Sequence, residues 1–254
     1  QLSFGQYFDY NYNSNYQIEL SSDGEFILFI TYDGNDTEIG KLQIDGSGFI
    51  TLTDNEYNDN NPQLSPDGTK LIYSSDRIEN DGANTYDIYL TDINGLVETN
   101  LTNNQSTMEA CWSIDGTQIF FLKYLHVNSN CEIMKVNIDG SNLSHVAFVQ
   151  ASSDYYLSLS PDGQYLFYSN YGSISRCSIN GDNITTIINS VGNVDGIEIN
   201  DNNMIVFHGG GENRNLYALN DDGSNAIRLT HFSYQYYDPI TGIHNSASWP
   251  KIRP

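Results

Sequence analysis

Catalysis would first be sought at the string His208-Gly209-Gly210-Gly211, because a His followed by glycines can build an oxyanion hole. That chemistry also needs a nucleophile on a G-x-S-x-G elbow, and the chain contains no such string. His208 stands just past an apolar triplet, where Ser74 and Ser169 stand in related stretches, so the glycines read as a loop. The remaining histidines, His126, His145, His231 and His244, show no ligand spacing, and neither C-x-x-C nor H-E-x-x-H occurs. Acidic side chains abound, 32 against 10 basic ones, and no pair suited to glycoside hydrolysis stands out by position. The expectation is a protein without catalytic residues or a resident cofactor. Oxygen-rich loops, "TDNEYNDNN" from Thr53 and "ENDGANTYD" from Glu79, offer ligands that suit Ca²⁺ but lack the EF-hand spacing.

The formal charge of -22 would repel phosphate backbones and anionic membrane surfaces, which excludes nucleic acid as an expected partner. No apolar run approaches the roughly 18 to 20 residues of a membrane-spanning helix, so no membrane insertion is expected. The chain begins at Gln1 without Met or a signal peptide and reads as a processed or trimmed soluble chain. Its Tyr-, Asn-, Ser- and Thr-rich, Lys-poor surface points to an extracytoplasmic home: secreted, cell-surface or periplasmic. Cys111 and Cys131 fall on segments that a middle strand should separate by two strand spacings, too far for a disulfide. Cys177 holds a position filled elsewhere by Leu42, Val136 and Leu219, and reads as a small core residue.

What must position any site is a repeat. "LSSDGEFILFI" at Leu20, "LSPDGTKLIYS" at Leu64, "WSIDGTQIFFL" at Trp112 and "LSPDGQYLFYS" at Leu159 share a turn followed by an apolar run, and "INDNNMIVFH" at Ile199 is a degraded copy. The structural turn residues are Asp23-Gly24, Asp67-Gly68, Asp115-Gly116 and Asp162-Gly163, with Asn202 expected in the fifth place. Three residues on come apolar triplets, Ile27 to Phe29 and its equivalents, long enough for a strand buried on both faces. A second turn, as at "IDGSG" from Ile44 or "INGLV" from Ile93, is a hairpin signal. Each repeat then supplies about four antiparallel strands, and four-stranded sheets stacked around an axis make a β-propeller.

The "LSPDG" turns, "YSSDR" at Tyr73, "YDIYLTDING" at Tyr86 and the Leu-Thr pairs at Leu52, Leu101 and Leu229 resemble the TolB-like (PD40-type) propeller repeat over roughly residues 18 to 231. The resemblance implies the propeller fold and says little of function, since one propeller scaffold hosts many roles. Asp76 and Arg77 themselves read as a structural ion-pair motif tying neighbouring loops rather than an active site. The helical N-terminal domain of that family has no counterpart in this sequence.

The expected architecture is all-β: a single propeller domain over 1–254, most simply of six four-stranded antiparallel blades. Residues 19–231 hold five repeats, and the other 41 residues, 1–18 and 232–254, would jointly form the sixth or pair between subunits. The stretch "YFDYNYNSNYQIEL" from Tyr7 alternates like a strand and must find a neighbour. Residues Phe8, Tyr10, Tyr12, Tyr16, Phe232, Tyr234, Tyr236, Tyr237 and Trp249 are the candidates for strand pairing and assembly. The expected function is a non-catalytic, extracytoplasmic protein-interaction and assembly scaffold whose partners are copies of itself, with a surface or extracellular filament built by donation of a terminal strand as its special use. The alternatives are a carbohydrate-binding propeller, a periplasmic partner-binding module and, last, a hydrolase.

Overall fold

The computed structural model describes residues 18–77, 86–103, 106–125, 130–150, 156–170, 172–189, 194–200, 202–209 and 215–230. All twenty elements among them are strands, grouped into five four-stranded antiparallel sheets with the simple order first-second-third-fourth. Blade 1 is β1 (Ile18–Leu20), β2 (Phe26–Tyr32), β3 (Thr37–Gln43) and β4 (Ile50–Thr51). Blade 2 is β5 (Asp59–Leu64), β6 (Lys70–Ser75), β7 (Asp87–Asp92) and β8 (Thr99–Asn100). Blade 3 is β9 (Thr107–Trp112), β10 (Gln118–Tyr124), β11 (Asn130–Asn137) and β12 (Ser144–Gln150). Blade 4 is β13 (Leu157–Leu159), β14 (Tyr165–Asn170), β15 (Ser173–Ser178) and β16 (Thr185–Ile188), and blade 5 is β17 (Val194–Ile199), β18 (Met204–Gly209), β19 (Asn215–Asn220) and β20 (Ile227–Arg228). First strands of successive blades approach one another, so they surround the axis.

The apolar triplets become the second strands. Their side chains alternate between the preceding and the following blade, which is why neither parity is polar. Leu28, Ile39 and Leu52 of blade 1 pack against Leu71 and Tyr73 of blade 2, while Ile72, Ile88 and Leu101 of blade 2 pack against Trp112, Ile119 and Phe121 of blade 3. The indole of Trp112 also donates to the Gln63 carbonyl across this seam, at 3.2 Å. Cys111 and Cys131 lie on either side of β10, unpaired and buried, and Cys177 fills the core of blade 4.

Turn chemistry holds the registers. In blade 2 the Ser65 hydroxyl donates to Asp67 Oδ1 at 2.6 Å, and the same oxygen accepts the Thr69 N–H at 3.0 Å. Ser65 Oγ in turn accepts the Lys70 N–H at 2.9 Å. Ser113 with Asp115, and Ser160 with Asp162, repeat the arrangement. Blade 5 departs from the expectation: its connection is one residue shorter, and Asn203 rather than Asn202 takes the left-handed conformation, at φ 56°. The Asn203 N–H donates to Asn200 O at 2.9 Å, as the Gly24 N–H does to Ser21 O.

Two further corrections concern the ring. Five blades are described against the six expected, and Ile18, assigned to the sixth, instead opens blade 1. The segments 1–17 and 231–254 lie outside the described residues.

Some hairpin glycines answer to a second demand, close approach between blades. A Cβ on Gly95, at φ 72°, would run into the Leu52 carbonyl of blade 1, whereas one on Gly140, at φ 79°, would meet open space. Gly140→Ala is expected to cost only the left-handed strain of about 1 kcal/mol, and Gly95→Ala about 2 kcal/mol or more because backbone must also move. Urea denaturation of the two variants checks the order; equal losses would deny the seam its role.

Candidate functional site

Part of the exposed apolar surface lies at the two ends of the stack, at positions that are core in other blades. Ile39, Ile88, Ile133 and Ile174 occupy one repeat position on the third strands and are all fully buried by the following blade. The blade 5 residue at that position, Leu216, is 39% exposed. The closing Leu-Thr pairs behave alike: Leu52 and Leu101 are 6% and 2% exposed, Leu229 47%. Val206 is half-buried where Leu28, Ile72, Phe120 and Phe167 are buried. The forward face of blade 5 therefore carries a core-type surface that no further blade among the described residues covers.

The other end shows the same on the backward face of blade 1. Ile18 and Leu20 are 58% and 57% exposed, although their equivalents in blades 3 to 5, among them Ala110, Leu157, Ile197 and Trp112, are buried or nearly so. Beside them Ile27, Phe29 and Leu42 gather with Phe49. Among the described residues the two ends thus present apolar lips, here called a wedge, of a kind that soluble proteins seldom leave exposed.

The positioning groups are local. In blade 5 the Leu216 N–H donates to Thr230 Oγ1 at 2.9 Å, and Thr230 donates to Asn215 Oδ1 at 3.2 Å. Blade 2 does the same with Thr102, which accepts from Ile88 N–H and donates to Asp87 at 2.9 Å. This clasp, which sequence reasoning missed, explains why Leu-Thr recurs a fixed distance after the third-strand polar residue: Thr ties the fourth strand back and so presents the Leu to the next blade.

Toward the axis the inner strands carry carboxyls. Burial lifts Glu109 to about 8, and its Oε1 accepts the Asn61 amide at 3.0 Å across the seam of blades 2 and 3. Burial lifts Glu19 to about 7, with repulsion from Glu198 of blade 5 adding to it, and Glu198 is itself raised. At the seam of blades 1 and 2 burial also lifts Glu38 to about 7.

The motif at Ser74 to Arg77 is structural in its contacts. Arg77 pairs with Asp59 at 3.2 Å and Glu98 at 2.7 Å and stacks on Tyr89, while Asp76 accepts the Asn58 N–H at 2.8 Å instead of pairing with Arg77. The sequence candidates Phe8, Tyr10, Tyr12, Tyr16, Phe232, Tyr234, Tyr236, Tyr237 and Trp249 all lie outside the described residues. Ile18, Leu20, Leu216 and Leu229, which the structure exposes, were not singled out as candidates. The signal available was negative: each continues a pattern of core residues while standing first or last in the repeat series. Among the described residues no three His, Cys, Asp or Glu side chains are grouped to hold a metal ion, and no helix is long and apolar enough to cross a membrane.

No family model matches the chain. An uncharacterized protein of Agrobacterium fabrum is 31% identical over 116 residues, which span 43% of this chain and 40% of that protein. TolB from Acinetobacter baumannii shares the fold at a TM-score of 0.67 and 16% identity, over 84% of this chain and 53% of the TolB chain. A structure from a nidogen–laminin complex matches at a TM-score of 0.68 and 9% identity, over 85% of this chain and 79% of its own. An oligogalacturonate lyase from Vibrio parahaemolyticus matches at 0.60 and 16%, over 85% and 65%. The fold is that of the TolB-like β-propellers. It is shared by a protein solved in a complex and by an enzyme, so the scaffold alone does not choose between those roles.

The raised carboxyls fix the pH dependence of stability. Glu19, Glu38 and Glu109 take protons more readily folded than unfolded, so each favours the fold while protonated. That contribution is complete below the unfolded value near 4.5 and is lost as pH rises through 7 to 8. The turn aspartates Asp23, Asp67, Asp115 and Asp162 are held below 3.8 by their Ser partners, so their contribution is lost only as pH falls below that value. Melting temperature is expected to peak between about pH 4 and 5 and to drop by several degrees toward about pH 8.5. Circular dichroism melts across that range test this, with Glu109→Gln flattening part of the fall; a curve that rises from pH 5 to 8 would refute the assignment.

Proposed function

We propose that this chain is a non-catalytic protein-interaction scaffold whose ring is completed by its own terminal segments, either within one molecule or by exchange between copies. The observation that carries the reading is the wedge: Leu216 and Leu229 on one lip and Ile18 and Leu20 on the other hold positions that are core in other blades. The filling fits in size. Residues 1–17 and 231–254 together approximate one blade, and the alternating stretch from Tyr7 runs directly into β1. Strand pairing would satisfy backbone groups, and Phe8, Tyr10, Tyr12, Tyr16, Phe232, Tyr234, Tyr236, Tyr237 and Trp249 would supply apolar area for the two lips.

In the exchanged arrangement one copy's terminal strand completes the next copy's wedge. Such a contact is heterologous and grows into a filament when its rotation does not close. An extracytoplasmic setting suits the acidic, Lys-poor surface, and a propeller solved in a nidogen–laminin complex gives a precedent for partner binding on this fold.

Mass photometry and negative-stain imaging of the full chain and of a variant lacking residues 1–17 separate the arrangements. Exchange predicts strings or closed oligomers that the deletion converts to single particles. Closure within one molecule predicts single discs that the deletion destabilises. A folded deletion variant with unchanged assembly and unchanged melting temperature would sink both. Leu216→Lys adds a check: it should cost about 2 kcal/mol if the wedge is filled and close to nothing if the residue faces water.

A further inference from the structure

We propose that the seam between blades 1 and 2 holds a hard divalent cation, Ca²⁺, between the carboxylates of Asp36 and Glu38. Asn55, whose N–H the Glu38 carboxyl accepts and whose amide donates to Asp59, ties the pair to the first strand of blade 2, and the inference does not rest on the proposed closure of the ring.

Asp36 and Glu38 lie two residues apart at the start of β3, both more than nine-tenths buried. Their carboxyls are within hydrogen-bonding reach of each other, yet Asp36 Oδ1 and Glu38 Oε2 have no donor. Glu38 Oε1 is satisfied, accepting the Asn55 N–H at 2.9 Å. A third buried carboxylate, Asp59 at the start of β5, also leaves Oδ1 without a partner, while its Oδ2 accepts from Asn55 Nδ2 and Arg77. Asp33, Glu56 and Asp76 add negative charge around Asp36. Two cations of this seam are engaged elsewhere: the Arg77 nitrogens are taken up by Asp59, Glu98, Ser75 and the Tyr73 hydroxyl, and Lys41 Nζ donates to the Ile93 carbonyl at 3.5 Å.

Two neighbouring buried carboxyls, each with an oxygen that no donor reaches, call for something positive beside them. The other repeats show that the common clasp does not require this. Asp87, at the position of Glu38, has both oxygens occupied by Thr102 and Asn100, and blade 5 uses the neutral Asn215 there. The surplus charge is peculiar to blade 1, and it meets the acidic loop from Thr53 that follows β4.

The donors are all oxygen, which selects Ca²⁺ or Mg²⁺ over softer metals. Since no three carboxylates converge among the described residues, the protein offers a pair, with water completing the shell. A pair of carboxylates makes a weak site of the kind that fills at about 0.1 to 1 mM, as in extracellular modules.

The test is thermal unfolding of the full chain at pH 7.5 in Ca²⁺, in Mg²⁺, in NaCl of matched ionic strength and in chelator, for the natural sequence and for Asp36→Asn and Glu38→Gln. Removing one charge from a repelling pair should leave both variants at least as stable without metal as the natural sequence. Ca²⁺ at about 10 mM should raise the melting temperature of the natural chain by a few degrees, half-saturating at about 0.1 to 1 mM, and should shift neither variant. No rise beyond that in matched NaCl would mean that a proton alone bridges the pair, and the proposal falls. Equal rises in natural and variant chains would mean diffuse counter-ions on an acidic surface, and it falls equally. Should a variant fail to fold, terbium luminescence of the natural chain decides instead: binding reversed by millimolar Ca²⁺ sustains the site, and no sensitised emission overturns it.

Discussion

Everything in this molecule depends on one constraint: a four-stranded sheet with two apolar faces must be covered on both. The second strands are apolar on consecutive residues because each parity belongs to a different seam. Among the described residues, five sheets in sequence make four seams and leave two faces over. Those faces are where Leu216, Leu229, Ile18 and Leu20 are exposed, while every equivalent in the internal seams is buried or half-buried. The same hydrophobic term that builds the stack therefore creates the demand for something to close it.

The seams are held at a set spacing by backbone, not by side-chain volume alone. Gly95 approaches the Leu52 carbonyl just past β4, and Gly223 the Ile187 carbonyl of β16, so closely that a methyl group would not fit. The Ser-Asp turn cages and the Thr clasps fix each hairpin and deliver the aliphatic residue beside them to the neighbouring sheet. This division of labour explains the look of the sequence. Turn and clasp residues recur as recognisable strings because their geometry admits few substitutes, whereas the packing positions vary freely among Leu, Ile, Phe, Tyr, Met and Trp as long as volume is conserved.

That is also why the fold was legible and the site was not. Short periodic strings carry their own chemistry, so the turns, the triplets and the four-strand count could be read one repeat at a time. Reading failed where one residue's role depends on a distant one. Asn203 was missed because the fifth repeat is one residue shorter, which only its hydrogen bond to Asn200 reveals. Glu38 and Asp36 were two acids among 32 until the fold buried them together. Glu109 gains its raised affinity for a proton from burial on the inner strand, where no adjacent residue hints at it. Ile18 and Leu216 looked like ordinary core residues, and their exposure follows from standing at the two ends of the series.

Charge sets the terms on which the wedge can be used. A chain of -22 repels its own copies at long range, and at physiological salt that repulsion fades beyond about 8 Å. The apolar residues of the lips, Leu216, Leu229, Ile18 and Leu20, carry no charge themselves, so a closing segment gains burial there at little electrostatic cost. The acidity lies instead in loops and turns and, inside the fold, at two seams and along the inner strands, where protons or cations can answer it. Apolar attraction at the ends of the series thus meets a chain whose net charge keeps its copies apart at long range. Such a balance favours a specific docked strand over indiscriminate clustering.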